Sequence, residues 1–248
     1  MIIIRNGEEH MQNRLDTVNR VGVVILSRLS SKRLPGKALL QINQKPILQY
    51  IIERLQNFID KDSIILATST ESSDNKICEF AKVNGINFYR GSLENVAERF
   101  MEASISRGFD YAIRITGDSI FIDGNIYKTM INKVRLVDYD MISNRKHQTY
   151  PIGQTFEVIN MESYKNYYKK FSSPEDFEHV THYLYNYEKK DKINIYHHIN
   201  PDGVFRNVSL AIDTINDFKM AKKVINELDN KLSNVEYKKI YKLYESLL

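Results

Sequence analysis

Three runs of largely apolar, β-branched residues, separated by stretches with helical periodicity, constrain the fold of this 248-residue chain more than any other feature. The runs occupy residues 21–27, 64–68 and 111–115. Runs of this kind are typical of strands buried on both faces. After the first run, apolar residues recur at spacings of three and four from Ile47 to Leu55, directly behind Pro46, which suits a helix start. Strands alternating with helices predict an α/β fold with a doubly wound, mostly parallel sheet.

Helix boundaries are also marked in the sequence. Asp74 is in position to cap a second helix and Gly85 to end it, and a third helix, at about 93–107, stops before Gly108. The later predictions are helices at 161–170 and 174–189, a strand at 208–212 and two terminal helices.

The alternation weakens after about Tyr139, which suggests a change in organisation. Residues 145–206 carry five of the six histidines and many tyrosines, with weaker strand signals. We interpret 1–19 as an N-terminal extension and 20–248 as a single domain. Within that domain, 145–206 is predicted to be a smaller excursion from the main sheet.

Composition limits the partners. Lys and Arg exceed Asp and Glu by 35 − 31 = 4, an excess that suits an anionic ligand but is too small to indicate nucleic acid. The tyrosines and lysines of 164–187 fit amphipathic helices better than base stacking. No apolar run approaches the roughly 20 residues that span a bilayer. The single cysteine, Cys78, lies on an apolar helical stripe, which indicates a core position in a reducing compartment. We expect a cytoplasmic protein with neither nucleic-acid nor membrane partners.

The segment 27–37 gives the strongest functional signal. It contains Arg28, Lys32, Arg33 and Lys37, with no acidic residue, and it follows the first predicted strand. Ligands of open α/β sheets bind beyond the carboxyl ends of the strands, and arginine, lysine and serine side chains donate hydrogen bonds to phosphate oxygens. A solvated basic loop is the alternative interpretation. The sequence contains neither a P-loop nor a G-x-G-x-x-G motif.

Carboxylates end two other predicted strands. Asp118 follows the strand at 111–115, with Asp123 close behind, and Asp213 ends the strand at 208–212. Mg²⁺ is commonly held by one or two carboxylates together with substrate phosphates, so Asp118 and Asp213 are candidate metal ligands. Aspartates before helices are also frequent N-caps, which is the alternative for Asp123 and Asp213.

These segments resemble a known family. Residues 24–28 and 33–37 are similar to the opening of the CMP-Kdo and CMP-sialic acid synthetase superfamily, particularly its spore-coat-polysaccharide-type cytidylyltransferase branch. The similarity continues through 88–99, 114–123, 150–157, 178–181 and 213–218, and so covers about 20–220. The chain departs from the family at Leu26-Ser27, where Gln-Ala or Pro-Ala is more usual, and at 119–121, where a proline is typical.

The resemblance implies a cytidylyltransferase that moves CMP from CTP to an acidic small molecule such as a sugar acid, with Mg²⁺ as cofactor. The expected catalytic residues are Arg28, Arg33, Lys37 and Asp118. The expected nucleotide-binding residues are Leu26, Arg28, Ser31, Lys37, Thr68, Arg90, Ser92, Arg99 and Asp118. The expected acceptor-binding residues are Gln154, Glu157, Glu178 and His179. The expected metal ligands are Asp118 and Asp213.

The sequence features also leave alternative functions to consider. A phosphate or phosphonate acceptor is the nearest alternative. A nucleotide-sugar-dependent glycosyltransferase would need an Asp-x-Asp pair after a strand, whereas the triad at 138–140 precedes one. A non-catalytic binding module would not need the carboxylates. Zinc binding by His179 and His182 is disfavoured, because no H-E-x-x-H motif is present. The aromatic content of 145–206 and the resemblance together predict a homodimer joined through that segment.

Overall fold

A computed structural model describes residues 20–134, 137–205 and 207–248, and the predicted extension at 1–19 lies outside these residues. The strands are β1 (Val21–Leu26), β2 (Gln41–Ile42), β3 (Lys45–Pro46), β4 (Ile64–Ser69), β5 (Asn87–Gly91), β6 (Tyr111–Thr116), β7 (Met141–Ser143), β8 (Glu157–Asn160) and β9 (Ile195–His197). The helices are α1 (Ile47–Leu55), α2 (Asn75–Val83), α3 (Val96–Ser106), α4 (Gly124–Val134), α5 (Met161–Tyr168), α6 (Pro174–Glu178), α7 (His182–Asn186), α8 (Ile215–Glu227) and α9 (Tyr237–Ser246).

Seven strands form the main sheet, in the order β5-β4-β1-β6-β8-β7-β9, while β2 and β3 pair separately. Strands β5, β4, β1 and β6 are mutually parallel, and β7 is parallel to β9. Strand β8 runs antiparallel to both β6 and β7. The predicted mostly parallel sheet is confirmed. Because β8 is reversed, its first residue lies at the same edge of the sheet as the last residues of β6 and β7.

Helices cover both faces of the sheet, as expected for a doubly wound fold. One core contains the buried stripe of α1 together with residues of α2, α4, α8 and α9. The other core contains residues of α3 and α5 with Phe171 and Tyr183. Cys78 is 6% exposed, which confirms its predicted core position. No helix in the described ranges combines the length and apolar character needed to cross a membrane.

The helix predicted at 174–189 is interrupted, which corrects the prediction. Helix α6 is preceded by a capping box at Ser173 and ends at Glu178, and the backbone of the next residue, His179, is extended. Val180 and Thr181 are buried outside the helices, and the Thr181 hydroxyl donates a hydrogen bond to Glu157 at 3.0 Å. The local helical signal is therefore overridden by a tertiary contact, at two β-branched residues of modest helix propensity.

The segment predicted as a strand at 208–212 forms only an isolated parallel bridge between Ser209 and Ile152. Leu210 N–H donates to Ile152 C=O at 2.8 Å, and a Cβ on Gly153 (φ +92°) would meet the Leu210 backbone at 2.7 Å. Ile212 N–H donates to Asp118 C=O at 3.1 Å. The segment is thus held against two loops, which are packed closely enough to require glycine.

Two further expectations need revision. Asp74 stands at the N-cap position of α2 but its side chain does not cap the helix; it accepts from Leu29 N–H at 2.8 Å and from Ser69. The segment 145–206 is not wholly separate from the main sheet, because β8 and β9 lie within it.

Candidate active site

A cavity of about 670 Å³ opens beyond the carboxyl ends of β1 and β6, where the sheet topology predicts a ligand. The basic loop that follows β1 forms one part of its wall, and residues after β6 and β7 form another. Ten of the predicted site residues line it: Leu26, Arg28, Ser31, Arg33, Lys37, Arg99, Asp118, Glu178, His179 and Asp213.

Lys37 connects the basic loop to both candidate metal ligands. Its ammonium group donates to Asp118 Oδ2 at 2.7 Å and to Asp213 Oδ1 at 3.0 Å, and a third hydrogen bond reaches Ile212 C=O at 3.2 Å. Burial opposes the charge on Lys37, but the two carboxylates outweigh it and raise the pKa of the ammonium group. Arg33 contacts the same Asp213 oxygen at 3.0 Å, although its side chain is 68% exposed.

Local backbone geometry brings these three segments together. Gly36 adopts φ +72° at the turn before Lys37, a conformation that glycine tolerates well. A Cβ on Gly117 would stand 2.9 Å from Ser27 Cβ, so glycine lets the loop carrying Asp118 pack against the end of β1. The hydrogen bond from Ile212 to Asp118 C=O places the next residue, Asp213, beside Asp118.

The two aspartates that could be N-caps, Asp123 and Asp213, have different surroundings in the structure. Thr214, not Asp213, caps α8 and forms a capping box with Asp217. Asp123 is the buried structural residue: it accepts from Asn125 N–H and Tyr237 N–H, both at 2.8 Å. Asp213 is therefore available to the cavity, whereas Asp123 is committed to local structure.

The carboxylates of Asp118 and Asp213 fit a hard divalent cation. Both contact the same Lys37 nitrogen, which shows that they converge on one position, and oxygen donors are what Mg²⁺ prefers. Two carboxylates are also its usual complement when substrate phosphates supply further ligands. Across the described residues, no three His, Cys, Asp or Glu side chains form a metal-binding group. Both ring nitrogens of His182 have hydrogen-bond partners, Asp176 at 2.9 Å and Asn186 at 2.7 Å.

Arg99 adds a buried cation to the cavity wall. It is 2% exposed, donates to Ser92 C=O at 2.6 Å, and its Nε is buried without a partner. Burial, reinforced by the charge of Arg28, lowers the pKa of Arg99 to about 10. Arg99 and Arg28 thus form a strongly electropositive region that favours an anionic ligand.

A second ionic network lies at the edge of the sheet where β6 and β7 end and the antiparallel strand β8 begins. Glu157 pairs in register with Arg114 on β6 and with Ser143 on β7. Its carboxylate is fully buried, forms a salt bridge with Arg114 Nε, and accepts from Tyr185 Oη at 2.8 Å. Burial alone would raise the pKa of Glu157, but the Arg114 charge and these hydrogen bonds lower it.

This network orients cationic groups that line the cavity. Arg114 lines it, and so does Arg145, whose guanidinium lies 5.5 Å from the centroid of the Tyr185 ring in a cation–π contact. In the described part of the chain, the guanidinium of Arg145 forms no salt bridge with a carboxylate. Arg145 is thus a cation without a direct ion-pair partner among the described residues, although its charge also contributes to lowering the pKa of Glu157.

Five predicted site residues do not line the cavity: Thr68, Arg90, Ser92, Gln154 and Glu157. Thr68, Gln154 and Glu157 are fully buried. Arg90 donates to Ser69 C=O, Glu71 C=O and Asn75 Oδ1. Ser92 Oγ accepts from Asn95 N–H at 2.9 Å. These five side chains thus lie outside the cavity lining, and Glu157 is connected to it by the salt bridge with Arg114.

Other lining residues were not assigned from the sequence. They include Arg114, Arg145, Thr155 and Thr181. Arg114 carries a detectable signal, since it is the one charged residue in an otherwise apolar strand. Arg145 carries none, because its relation to the cavity depends on the order of β6, β8 and β7.

Comparisons with known proteins point in one direction. The family model described as cytidylyltransferase matches residues 22–246. An uncharacterized protein of Methanocaldococcus jannaschii is 31% identical over 88% of this chain and 87% of its own length. The spore coat polysaccharide biosynthesis protein SpsF of Bacillus subtilis is 27% identical over 83% and 86%, respectively.

Two further comparisons concern enzymes of known reaction or solved structure. A 3-deoxy-manno-octulosonate cytidylyltransferase of Alteromonas mediterranea is 36% identical over 40% of each chain. The solved structure of a cytidylyltransferase from Leptospira borgpetersenii superposes with a TM-score of 0.84 at 26% identity, covering 92% of this chain and 94% of that one.

Proposed function

The chain belongs to the cytidylyltransferase family, and from this premise we propose that it transfers CMP from CTP to an acidic sugar or related small acid, with release of pyrophosphate. The observation that carries the proposal is the convergence of Lys37, Asp118 and Asp213 in a cavity whose basic loop supplies Arg28 and Arg33.

In the proposed reaction, an acceptor oxygen attacks the α-phosphorus of CTP. A bond forms between them, the bond from the α-phosphorus to the bridging oxygen of pyrophosphate breaks, and the hydroxyl proton leaves to solvent. Arg28, Arg33 and Lys37 bind and orient the triphosphate, which places the α-phosphorus before the acceptor. Preorganised cations are the main source of stabilisation in such a transfer. Mg²⁺ held by Asp118 and Asp213 would neutralise phosphate charge.

We assign the acceptor to the region around Arg114. Arg145 lines the cavity there without a direct salt bridge to a described carboxylate, which suits binding of the acid group of the acceptor. His179 and Thr155 line the same cavity with side chains that can donate hydrogen bonds to hydroxyls, whereas the Thr181 hydroxyl already donates to Glu157. Glu178, predicted to bind the acceptor, is exposed at this wall. Its carboxylate would repel a phosphate dianion more than a carboxylate, which favours a sugar acid over the alternative phosphate or phosphonate acceptor.

A pyrophosphate-release assay tests the proposal. The protein is supplied with Mg²⁺, each of the four nucleoside triphosphates in turn, and a panel of sugar acids, sugar phosphates and phosphonates. We expect turnover with CTP and a carboxylate-bearing sugar, and loss of turnover when EDTA removes the metal. Equal binding of all four nucleotides in calorimetry would contradict the cytidyl specificity. Turnover confined to phosphorylated acceptors would support the alternative acceptor class.

We also propose that the protein is a homodimer joined largely through 145–206. Within this segment Ile152, Ile199 and Val204 are 64%, 53% and 57% exposed, and exposed aliphatic residues of this size suit a protein interface. Light scattering at micromolar concentration should give a mass near twice the 29.1 kDa of one chain. A fully active monomer at that concentration would exclude the dimer.

A further inference from the structure

The position between Asp118 and Asp213 is filled by the protein's own cation. Lys37 Nζ lies 2.7 Å from one carboxylate and 3.0 Å from the other. Mg²⁺ would need both carboxylates within about 2.1 Å of itself. The position between the two carboxylates can therefore hold either a metal ion or the Lys37 ammonium group, but not both at once.

The ammonium group is held as firmly as its chemistry allows. It has three donor hydrogens, and three acceptors surround it, the third being Ile212 C=O at 3.2 Å. Its side chain is only 15% exposed. With Arg33 also on Asp213, two cations balance two carboxylates, so little negative charge remains to attract a divalent ion.

We infer that Lys37 closes the divalent-cation site until a nucleotide binds, so that the metal enters with the nucleotide and not before it. This inference rests on the proposed function, because the nucleotide phosphates are what draw Lys37 away. The release needs no rearrangement of the fold. Lys37 follows the turn at Gly36, and its four-carbon stem can move the ammonium group toward the cavity while the backbone stays in place.

The consequence is an order of binding. Phosphate oxygens that take the Lys37 hydrogen bonds leave the two carboxylates unpaired, and that change creates the metal site. Without nucleotide, divalent ions face both a steric block and the repulsion of a charge that occupies their position. The site therefore discriminates against free metal in the absence of substrate.

Mn²⁺ binding to the protein, followed by electron paramagnetic resonance without nucleotide, tests the inference directly. We expect wild-type protein to bind Mn²⁺ at least about tenfold more weakly than the Lys37→Met variant, because the variant removes a unit charge from the site. Adding Asp118→Asn to Lys37→Met should abolish the gain, which locates the new ion. The matched control is Lys45→Met, which removes a lysine paired with Glu53 at 2.7 Å outside the cavity lining and should leave Mn²⁺ binding unchanged.

A second measurement separates this inference from the proposed function and does not depend on a variant. Water-proton relaxation with wild-type protein should show enhancement with Mn²⁺ and CTP together, and little with Mn²⁺ alone. Equally tight Mn²⁺ binding with and without CTP would overturn the inference while leaving CTP binding intact. The absence of any enhancement with CTP, together with no CTP binding in calorimetry, would instead contradict the proposed function. Circular dichroism checks that the Lys37→Met protein is folded.

Discussion

Two clusters of charged residues line the same cavity, and they differ in how their charges are balanced. The loop cluster comprises Arg28, Lys32, Arg33, Lys37, Arg99, Asp118 and Asp213. It has five cations and two carboxylates, an excess of 5 − 2 = +3. The sheet cluster comprises Arg114, Arg145, Glu178 and the buried Glu157 behind the wall. It has two cations and two carboxylates, and is balanced.

The difference supports the proposed placement of the triphosphate at the loop cluster and of the acceptor at the sheet cluster. A surplus of positive charge suits a triphosphate, whose affinity and orientation depend on several cations acting together. The balanced sheet cluster has no surplus positive charge that would favour a dianion. Within it, Arg145 can donate hydrogen bonds to a single acid group. The loop cluster is also adjustable, since the charged groups of Lys37 and Arg33 reach the carboxylates through long flexible side chains, whereas Glu157 and Arg114 of the sheet cluster are fixed by strand register.

The largest expected effect is in the loop cluster. Asp118→Asn should preserve the fold and lower turnover by about a thousandfold, because an amide is a poor Mg²⁺ ligand and no longer balances Lys37. Steady-state kinetics at several Mg²⁺ concentrations measures this effect.

Asp123→Asn is the matched control, five residues along the chain. It should cost about 1–2 kcal/mol of stability, through its bonds to Asn125 N–H and Tyr237 N–H, and leave turnover per folded molecule unchanged. Near wild-type rates for Asp118→Asn at low Mg²⁺ would remove Asp118 from the metal site.

The sheet cluster is expected to respond mainly through stability. Glu157→Gln removes the carboxylate that forms a salt bridge with the largely buried Arg114 and should lower the free energy of unfolding by about 3 kcal/mol at pH 7. The pKa of Glu157 is lowered by folding from 4.5, so its contribution is complete above that pH and is lost as the pH falls below it. In urea denaturation, the free energy of unfolding should therefore fall more between pH 7 and pH 4 for wild type than for the variant.

A surface pair provides the comparison for that measurement. Lys45 and Glu53 are about one-third exposed, and Glu53→Gln should cost no more than about 1 kcal/mol. If Glu157→Gln costs no more than this control, the buried network does not hold the sheet cluster together.

The loop cluster could be predicted from the sequence to a much greater extent than the sheet cluster. Parallel strands end at one edge, so an apolar run followed by Arg28 to Lys37 and another followed by Asp118 must bring those side chains together. Asp213 lies beside Asp118 although its segment is not a strand, because the hydrogen bond from Ile212 N–H to Asp118 C=O substitutes for strand pairing.

The sheet cluster depends on information that local sequence does not contain. Glu157 meets Arg114 because β8 is antiparallel to β6, and nothing in either segment specifies that pairing. The resemblance implies an acceptor-binding role for Glu157, whereas in the structure Glu157 is fully buried and forms a salt bridge with Arg114. The break at His179 follows from the contact of Thr181 with Glu157, another long-range interaction that a helical pattern cannot reveal.

The smallest expected effect tests whether the two clusters act separately. Arg145→Gln removes the guanidinium of the sheet cluster that has no direct salt bridge, together with its cation–π contact with Tyr185, but keeps a polar side chain. We expect the KM for the acceptor acid to rise about tenfold, the value of one exposed charge-assisted hydrogen bond, with the Kd for CTP unchanged. Arg28→Gln should do the reverse, raising the Kd for CTP and leaving the acceptor KM within about twofold. The two constants are measured by acceptor titration at saturating CTP and by calorimetry without acceptor. If Arg145→Gln weakened CTP binding as much as acceptor binding, the cavity would be one continuous phosphate site, and the charge contrast between its clusters would have no functional meaning.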